Sequence, residues 1–171
     1  VTMVVAVNVS GIDFGNKSVG AGETIVSAGV KGRWSLPATW VGGVVPAAVD
    51  NALIANGDTV KYDLISGGVN NLTIGENASV PTSLEFRDDK DYSLTVFGNL
   101  TLSGDSSVLR TQSNTILQLN HTLNLKGDFT SAGLIDFKTG GSPYNGFINL
   151  VLDGNKNSTI TVKPYTMLPD V

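Results

Sequence analysis

The densest acidic cluster in the sequence is Asp88-Asp89-Lys90-Asp91. Three carboxylates within four residues are suitable oxygen ligands for Ca²⁺. Their spacing, however, lacks the Asp-x-Asp-x-Asp-Gly pattern of an EF-hand loop. We therefore interpret the cluster as a solvated turn, and we expect neither a metal nor a cofactor.

His121 is the only histidine and lies between two strand-like phrases, in Leu119-Asn-His-Thr-Leu123. A catalytic base needs a nucleophile beside it, and a histidine that ligates a metal needs further ligands. The sequence identifies neither, and it does not indicate the two facing carboxylates that glycoside hydrolysis uses. We therefore expect a surface or ladder histidine in a protein that is not an enzyme.

Composition argues against several other function classes. The net charge is −4 and the eleven basic residues are scattered, which predicts no binding of nucleic acid. The absence of cysteine from the sequence excludes disulfides, thiolate metal sites and a cysteine nucleophile. No apolar run approaches the roughly 18 residues of a membrane span, and residues 1–9 lack an initiator Met and a basic segment. We expect a mature or trimmed chain with no membrane span.

Seven Asn-x-Ser/Thr sequons are possible sites of glycosylation, which would suit an extracellular surface. A chain rich in Asn, Ser and Thr also produces such sequons by chance. None of the seven has proline at the middle position. Their asparagines are Asn8, Asn16, Asn71, Asn77, Asn99, Asn120 and Asn157.

The elements that must position these side chains are predicted to be strands. Charged residues make up 15% of the chain, against roughly 25% in an average soluble protein. Val, Thr, Ile, Asn, Ser and Gly dominate, and these residue types favour strands and turns over helices. With 41% hydrophobic residues in 171, the chain can bury a core, so we expect an all-β protein.

One short phrase, an apolar/polar/apolar triplet that ends near a glycine, recurs along the chain. Its copies are Asn71–Gly75, Ser93–Gly98, Asn99–Gly104, Thr122–Gly127 and Asn149–Gly154. The leucines that open the triplets are 22 residues apart from Leu72 to Leu94, then 29 to Leu123 and 27 to Leu150. A period in the twenties predicts stacked coils, a β-solenoid, because each coil buries its apolar side chains only against its neighbours. A Greek-key β-sandwich is the alternative, although Asn-Gly and Asp-Gly turns are too few to connect all its strands.

The first ten residues are predicted to form a separate strand. The alternating residues Val1, Met3, Val5, Val7 and Val9 fall on one face of that strand, and the other face is mixed. A glycine-containing break follows at residues 11–16. We therefore divide the chain into an N-terminal strand or capping segment, residues 1–30, and a short β-solenoid domain, residues 31–171.

A stretch marked by tryptophan and glycine opens the second part. Its characteristic positions are Trp34, Thr39, Trp40, Gly42, Gly43, Pro46, Asp50, Ile54, Gly57 and Val60. The two indoles are expected to cap one end of the core, and Asp50 to begin a strand. The stretch resembles the opening of secreted right-handed parallel β-helix proteins and the start of the eight-glycine domain of cell-surface proteins. That resemblance implies a right-handed parallel β-helix in an extracellular or cell-surface setting. It implies no single function, because such proteins range from adhesins to carbohydrate-active enzymes.

Two function classes stay open. The first is an extracellular structural or adhesive protein that self-associates into a surface filament through addition of its N-terminal strand to the next subunit. In the competing interpretation, that strand caps its own domain. The second class is a carbohydrate-binding or carbohydrate-processing module that contacts cell-surface or matrix glycans. Its contacts would be exposed tyrosines, with Tyr62, Tyr92, Tyr144 and Tyr165 as candidates.

Overall fold

A computed structural model describes residues 22–76, 79–112, 118–141 and 144–163. These residues form fifteen strands and two three-residue 3-10 helices, Pro37–Thr39 and Val41–Gly43. The strands are β1 Thr24–Val26, β2 Asn51–Ile54, β3 Thr59–Tyr62, β4 Gly67–Val69, β5 Leu72–Ile74, β6 Thr82–Phe86, β7 Ser93–Val96, β8 Leu100–Leu102, β9 Ser107–Thr111, β10 Leu119–Leu125, β11 Phe129–Ser131, β12 Leu134–Asp136, β13 Lys138–Gly141, β14 Tyr144–Leu152 and β15 Ile160–Val162.

The strands are arranged in three sheets that run along one axis. Sheet 1 has the order β1-β2-β5-β8-β11-β15, sheet 2 the order β12-β9-β6-β3, and sheet 3 the order β13-β14-β10-β7-β4. Between β2 and β14, each turn of the chain adds to each sheet one strand that runs parallel to the strand of the turn before. The chain is therefore a parallel β-solenoid of about five turns, as predicted. The β-sandwich alternative is wrong, because a sandwich of hairpins is built from antiparallel pairs.

The register corrects one step of the predicted repeat. Leu94 pairs with Leu123, and Leu123 pairs with Leu150, so those two steps join strands of the same sheet. Leu72 pairs with Leu100 instead of Leu94. The predicted step of 22 residues is wrong because it joined a triplet of sheet 1 to a triplet of sheet 3.

The core is built from alternate residues of the short strands. Each triplet of the Leu-Thr-Ile type turns both apolar side chains inward and its middle residue outward. Inward leucine, isoleucine and phenylalanine side chains from successive turns then stack into continuous columns. Fully buried members include Ile54, Leu72, Ile74, Leu84, Phe86, Leu94, Leu100, Leu102 and Phe129.

The two tryptophans lie in the first turn and are buried, as expected for residues that cap a core. Their rings make an edge-to-face contact with centroids 4.8 Å apart, and Trp34 makes a second one with Tyr62 of the next turn at 5.3 Å. The indole Nε1 of Trp40 donates a hydrogen bond to the Trp34 carbonyl oxygen at 2.8 Å. Nearby, Gly42 and Gly43 have φ angles of +80° and +70°, a backbone conformation that favours glycine. Strand β2 begins directly after Asp50, as predicted.

The N-terminal strand prediction falls outside the described residues, because Val1, Met3, Val5, Val7 and Val9 all precede residue 22. The first described strand, β1, pairs with β2 in sheet 1, so the solenoid already includes residues from the predicted N-terminal segment. A domain boundary at residue 30 stays a prediction.

The opposite end of the solenoid is closed in part by a hairpin. Strand β13 runs antiparallel to β14, from Lys138 opposite Phe147 to Gly141 opposite Tyr144. It covers the first half of the outer edge of β14, and it is the one antiparallel strand pairing among the described residues. None of the helices in those residues is long and apolar enough to cross a membrane.

Candidate functional sites: an open end and a corner groove

The C-terminal end of the solenoid exposes side chains that occupy core positions. Leu152 pairs with the fully buried Leu125, yet Leu152 is 47% exposed. Ile160 pairs with Phe129, which is 1% exposed, while Ile160 itself is 44% exposed. Within the described ranges no strand pairs with the outer edge of β15. This end therefore offers both an apolar surface and an unpaired strand edge.

The N-terminal end also carries apolar surface. A shallow cleft of about 160 Å³ runs along β1, and Val41 and Val44 contribute to its wall. The first turn has four exposed large aliphatic side chains, Val30, Leu36, Val41 and Val49. Among the residues that the structure describes, both ends of the solenoid thus combine a sheet edge that no further strand pairs with and apolar side chains, which is a surface suited to protein contact.

A tight corner joins sheet 3 to sheet 1 in each of three successive turns. Gly98, Gly127 and Gly154 occupy equivalent positions there, just after β7, β10 and β14. A Cβ atom on Gly127 would collide with the Gly98 carbonyl oxygen, and one on Gly154 with the Lys126 carbonyl oxygen. Only glycine fits, because the backbones of neighbouring turns approach each other too closely for a side chain.

A ladder of side-chain hydrogen bonds holds the same corner together. Asn71 Nδ2 donates to Asn51 Oδ1 at 2.7 Å, and Asn71 Oδ1 accepts from the Asn99 amide N–H at 2.7 Å. In turn, Asn99 Oδ1 accepts from the Asp128 amide N–H at 2.9 Å, and Asp128 Oδ1 from the Thr159 amide N–H at 2.8 Å. Each turn is therefore tied to the next by a polar side chain as well as by the sheet.

A groove of about 530 Å³ lies on the outside of this corner. Its floor contains Phe97 and Lys126, which occupy equivalent positions in successive turns, and Asp153 follows in the next turn. Lys126 Nζ lies 6.0 Å from the centroid of the Phe97 ring and donates a hydrogen bond to Asp153 Oδ2 at 3.1 Å. Exposed residues 155–157 form one wall. The sequence interpretation missed this groove. Alignment of the residue before each corner glycine would have indicated it.

Two of the four tyrosines proposed to contact glycans are buried, which corrects that prediction. Tyr62 has no exposed surface and Tyr92 is 4% exposed, because each shares the inward face of its strand or turn with core residues. Tyr62 Oη donates to the Ser93 carbonyl oxygen at 2.8 Å, and Tyr92 Oη donates to Asp89 Oδ1 at 2.7 Å. Burial raises the pKa of both phenols, that of Tyr92 to about 12 with help from the Asp89 hydrogen bond. Tyr165 and the side chain of Tyr144 lie outside the described residues.

Two carboxylates of the acidic cluster, those of Asp89 and Asp91, make contacts within the protein. Besides accepting the hydrogen bond from Tyr92, Asp89 forms an ion pair with Arg87 at 3.3 Å. Asp91 Oδ1 accepts a hydrogen bond from the amide N–H of Asn120 in the following turn, at 2.8 Å. In the part of the chain that the structure describes, no three His, Cys, Asp or Glu side chains are grouped so that they could hold a metal.

His121 is buried in the core, so the ladder interpretation is right and a surface position is wrong. Its ring stacks on Tyr92 with an interplanar angle of 6° and contacts Phe86, with centroids 5.9 Å and 5.1 Å away. The Tyr92 amide N–H donates to Nδ1 at 3.2 Å, and Nε2 lies 3.2 Å from Thr111 Oγ1. Burial lowers the pKa of His121 to about 4. Both ring nitrogens are thus occupied by structural contacts.

The described sequon asparagines differ in accessibility. Asn99, Asn120 and Asn157 are exposed, whereas Asn71 is half-buried and donates its Nδ2 hydrogen to the corner ladder. The other three, Asn8, Asn16 and Asn77, lie outside the described residues. Glycosylation of any of the seven stays a prediction.

Comparisons of the chain with known protein families, with curated proteins and with solved structures found no match. The resemblance to secreted β-helix proteins and to the eight-glycine domain therefore stays a prediction, together with the right-handed winding and the extracellular setting that it implies.

Proposed function

We propose that this protein is an extracellular structural or adhesive protein whose copies join head to tail into a surface filament. The supporting observation is the open C-terminal end, where Leu152 and Ile160 occupy core positions but remain exposed. Burying these side chains on a second copy gains about 25 cal/mol per Å² of apolar surface, which favours association.

The occupant of this end is the N-terminal strand of the next copy. Its apolar residues alternate, as an added strand requires if one face is to lie on an apolar surface and the other is to face water. Residues of the strand are Val1, Met3, Val5, Val7 and Val9 on the apolar face. A contact between two different surfaces of the same protein does not close on itself unless a rotation forms a ring, so it generates a filament.

Sheet 1 is a better acceptor than sheet 3 at this end. The outer edge of sheet 3 is already half covered by β13, and that antiparallel strand ends its parallel stacking. Sheet 1 ends instead with β15, whose exposed Ile160 continues the apolar column below it. We therefore place the donor strand along β15.

A structural function also agrees with the internal contacts of the side chains that could have been catalytic. His121 is buried with both ring nitrogens engaged, and Asp89 is committed to Tyr92 and Arg87. The outward faces of sheets 1 and 3 carry mainly threonine, serine and asparagine, such as Thr73, Thr101 and Asn124. Such faces suit a solvated fibre wall.

The test is assembly of the full chain, followed by negative-stain electron microscopy and sedimentation velocity. We expect filaments from the full chain and monomers after removal of residues 1–10. Val5→Lys, on the apolar face of the donor strand, should also abolish filaments. Val4→Lys places the same charge on the opposite face, so it is the matched control and should still assemble.

The acceptor is tested in the same way. Ile160→Lys should give monomers, while Thr161→Lys, one residue further and on the outward face, should leave filaments intact. The proposal is wrong if the full chain stays monomeric at high concentration. It is equally wrong if the truncated chain assembles as the full chain does.

A further inference from the structure

We infer that the corner groove binds a neutral oligosaccharide. This site is separate from the two ends of the solenoid, so it does not depend on filament assembly. Its volume of about 530 Å³ falls within the range of roughly 300–1,000 Å³ that is usual for small-molecule sites.

The groove combines one exposed aromatic ring with polar walls. Phe97 is 45% exposed and is the aromatic residue among those that line the groove. Its ring lies directly against the neighbouring turn, since a Cβ on Gly68 would come within 2.8 Å of the ring atom Cε2. An exposed ring held in this way offers an apolar surface to the C–H groups of a sugar.

The charges that line the groove balance each other. Lys126 is paired with Asp153, and the remaining charged residues of the lining are Lys156 and Asp128. Two cations and two anions give no net attraction for a charged ligand, which favours a neutral one. The exposed ion pair still offers charged donors and acceptors, to which hydroxyl groups bind more strongly than to neutral ones.

Asparagine amides supply the remaining recognition. Asn155 and Asn157 line the groove from the loop between β14 and β15, and both are exposed. A primary amide both donates and accepts, and so does each sugar hydroxyl, so one amide can pair with two neighbouring hydroxyls. An aromatic ring beside amides and a balanced ion pair is therefore complementary to a sugar, which has apolar C–H faces and a rim of hydroxyl groups.

The floor of the groove is fixed before any ligand arrives. The corner glycines lock the backbones of neighbouring turns together, and the ladder through Asn99 and Asp128 ties the same turns side chain to backbone. A rigid floor lowers the entropy that binding costs.

The surface beside the groove would accept a longer chain. Thr95 and Asn124 lie next to Phe97 and Lys126 on the outward face of sheet 3, and Asn124 Nδ2 is 3.4 Å from Thr95 Oγ1. Neighbouring strands are about 4.8 Å apart, so these two groups lie one strand spacing apart along the solenoid axis. An oligosaccharide that lies along this axis would meet the Thr95 hydroxyl and then the Asn124 amide in two successive turns.

The experiment measures binding of defined glycans to the full chain made in a bacterial host, where Asn157 carries no N-linked glycan. Neutral tetrasaccharides of glucose, galactose, mannose and N-acetylglucosamine are screened on an array, together with uronic-acid and sulfated tetrasaccharides. Isothermal titration calorimetry then gives the affinity of the best neutral probe. We expect saturable binding of at least one neutral tetrasaccharide.

Substitutions test whether the ligand binds in the groove. Phe97→Ala should weaken binding by about tenfold or more, and Phe97→Trp should retain it. The matched control is Phe147→Ala, because Phe147 of β14 does not line the groove and also has a lysine over its ring, Lys138 at 5.9 Å. Asn157→Ala should weaken binding without changing the thermal midpoint, since Asn157 is exposed.

Three results would overturn the inference. The first is that no neutral tetrasaccharide binds. The second is that only the acidic probes bind, which would contradict the argument from charge balance. The third is equal loss of affinity in Phe147→Ala and Phe97→Ala, which would locate binding elsewhere. None of these results bears on the filament, which electron microscopy tests separately.

Discussion

The ring of His121 is built into the core in its neutral form. Nδ1 accepts a hydrogen bond from the Tyr92 amide, so the single ring proton lies on Nε2 and faces Thr111 Oγ1. Thr111 Oγ1 can accept the hydrogen bond from Nε2–H because its own hydrogen is directed to the Gln112 carbonyl oxygen at 3.2 Å. A second ring proton on Nδ1 would oppose the Tyr92 N–H, and it would place a charge in the core.

Stability should therefore fall in mild acid. The pKa of His121 is about 4 in the folded protein and about 6.5 when unfolded. The unfolded state thus takes up the proton first as the pH falls. The free energy of unfolding is constant above about pH 6.5 and decreases by about 3 kcal/mol as the pH falls towards 4. Urea unfolding at pH 8, 7, 6 and 5, followed by circular dichroism, measures this decrease.

His121→Gln is the control for this prediction, because glutamine is polar and does not titrate. The nearby carboxylates of Asp89 and Asp91 favour the charged ring, and this effect disappears when the ring is replaced by an amide. Between pH 7 and 5 the variant should therefore show little change in stability. A decrease as steep as in the unchanged protein would assign the pH dependence to other groups.

Burial of the polar aromatic residues could have been predicted from alternation alone. His121 shares its strand face with Leu119, Leu123 and Leu125, all of which are buried. Tyr62 likewise alternates with Val60, and Tyr92 with Leu94. The polar groups of histidine and tyrosine favoured exposed positions in the sequence interpretation. Position within the strand instead determined that these side chains are buried, because every second residue of a solenoid strand faces the core.

The corner between sheets 3 and 1 is sensitive to the addition of a single methyl group. Gly127→Ala should lower the free energy of unfolding by about 3 kcal/mol, because the new Cβ would meet the backbone of Gly98, which cannot move away. Gly43→Ala is the matched comparison. Gly43 has φ +70° but nothing within 4 Å of the new Cβ, so the cost is conformational and about 1 kcal/mol.

Urea unfolding at neutral pH measures both changes. Equal losses in the two variants would show that backbone conformation, rather than close approach of the turns, determines the need for glycine. A larger loss in Gly127→Ala supports the packing of the corner described above.

At the scale of elements, the sequence predicts the strands better than their sheets. The repeated triplets correctly indicated β5, β7, β8, β10 and β14. They did not indicate sheet membership, because Leu-Thr-Ile in sheet 1 and Leu-Thr-Val in sheet 3 have the same pattern. Turn length is set by the loops, which change from turn to turn, so register depends on contacts between turns that a pattern along one strand does not contain. The groove escaped prediction for the same reason, since Phe97, Lys126 and Asp153 become neighbours only through that register.

At the scale of the whole molecule, two spectroscopic signals report on different parts of the solenoid. Both tryptophans lie in the first turn, so their fluorescence follows the N-terminal end alone, while circular dichroism follows all the sheets. Turns of a solenoid contact only their neighbours. Gly154→Ala, at the last corner, should therefore lower the urea midpoint seen by circular dichroism more than the midpoint seen by fluorescence.

The outcome distinguishes two kinds of unfolding. Separate midpoints would mean that the C-terminal turns open before the rest of the solenoid. Equal shifts in both signals would mean that the about five turns unfold as a single cooperative unit, contrary to this prediction.

The direction of the hydrogen bonds between turns determines how the solenoid responds to a pulling force. Strands lie across the axis, so the bonds between turns run along it and a pull on the two ends loads them one after another. The turn from Leu72 to Leu100 contains 28 residues. While it is stacked, this turn adds only about 4.8 Å to the length of the solenoid. Once it is pulled out straight, its chain spans about 90–100 Å. A fibre of such subunits would therefore lengthen in steps under load, as long as the contacts between subunits hold. It would shorten again as the turns restack, and in this way it would dissipate a sudden force.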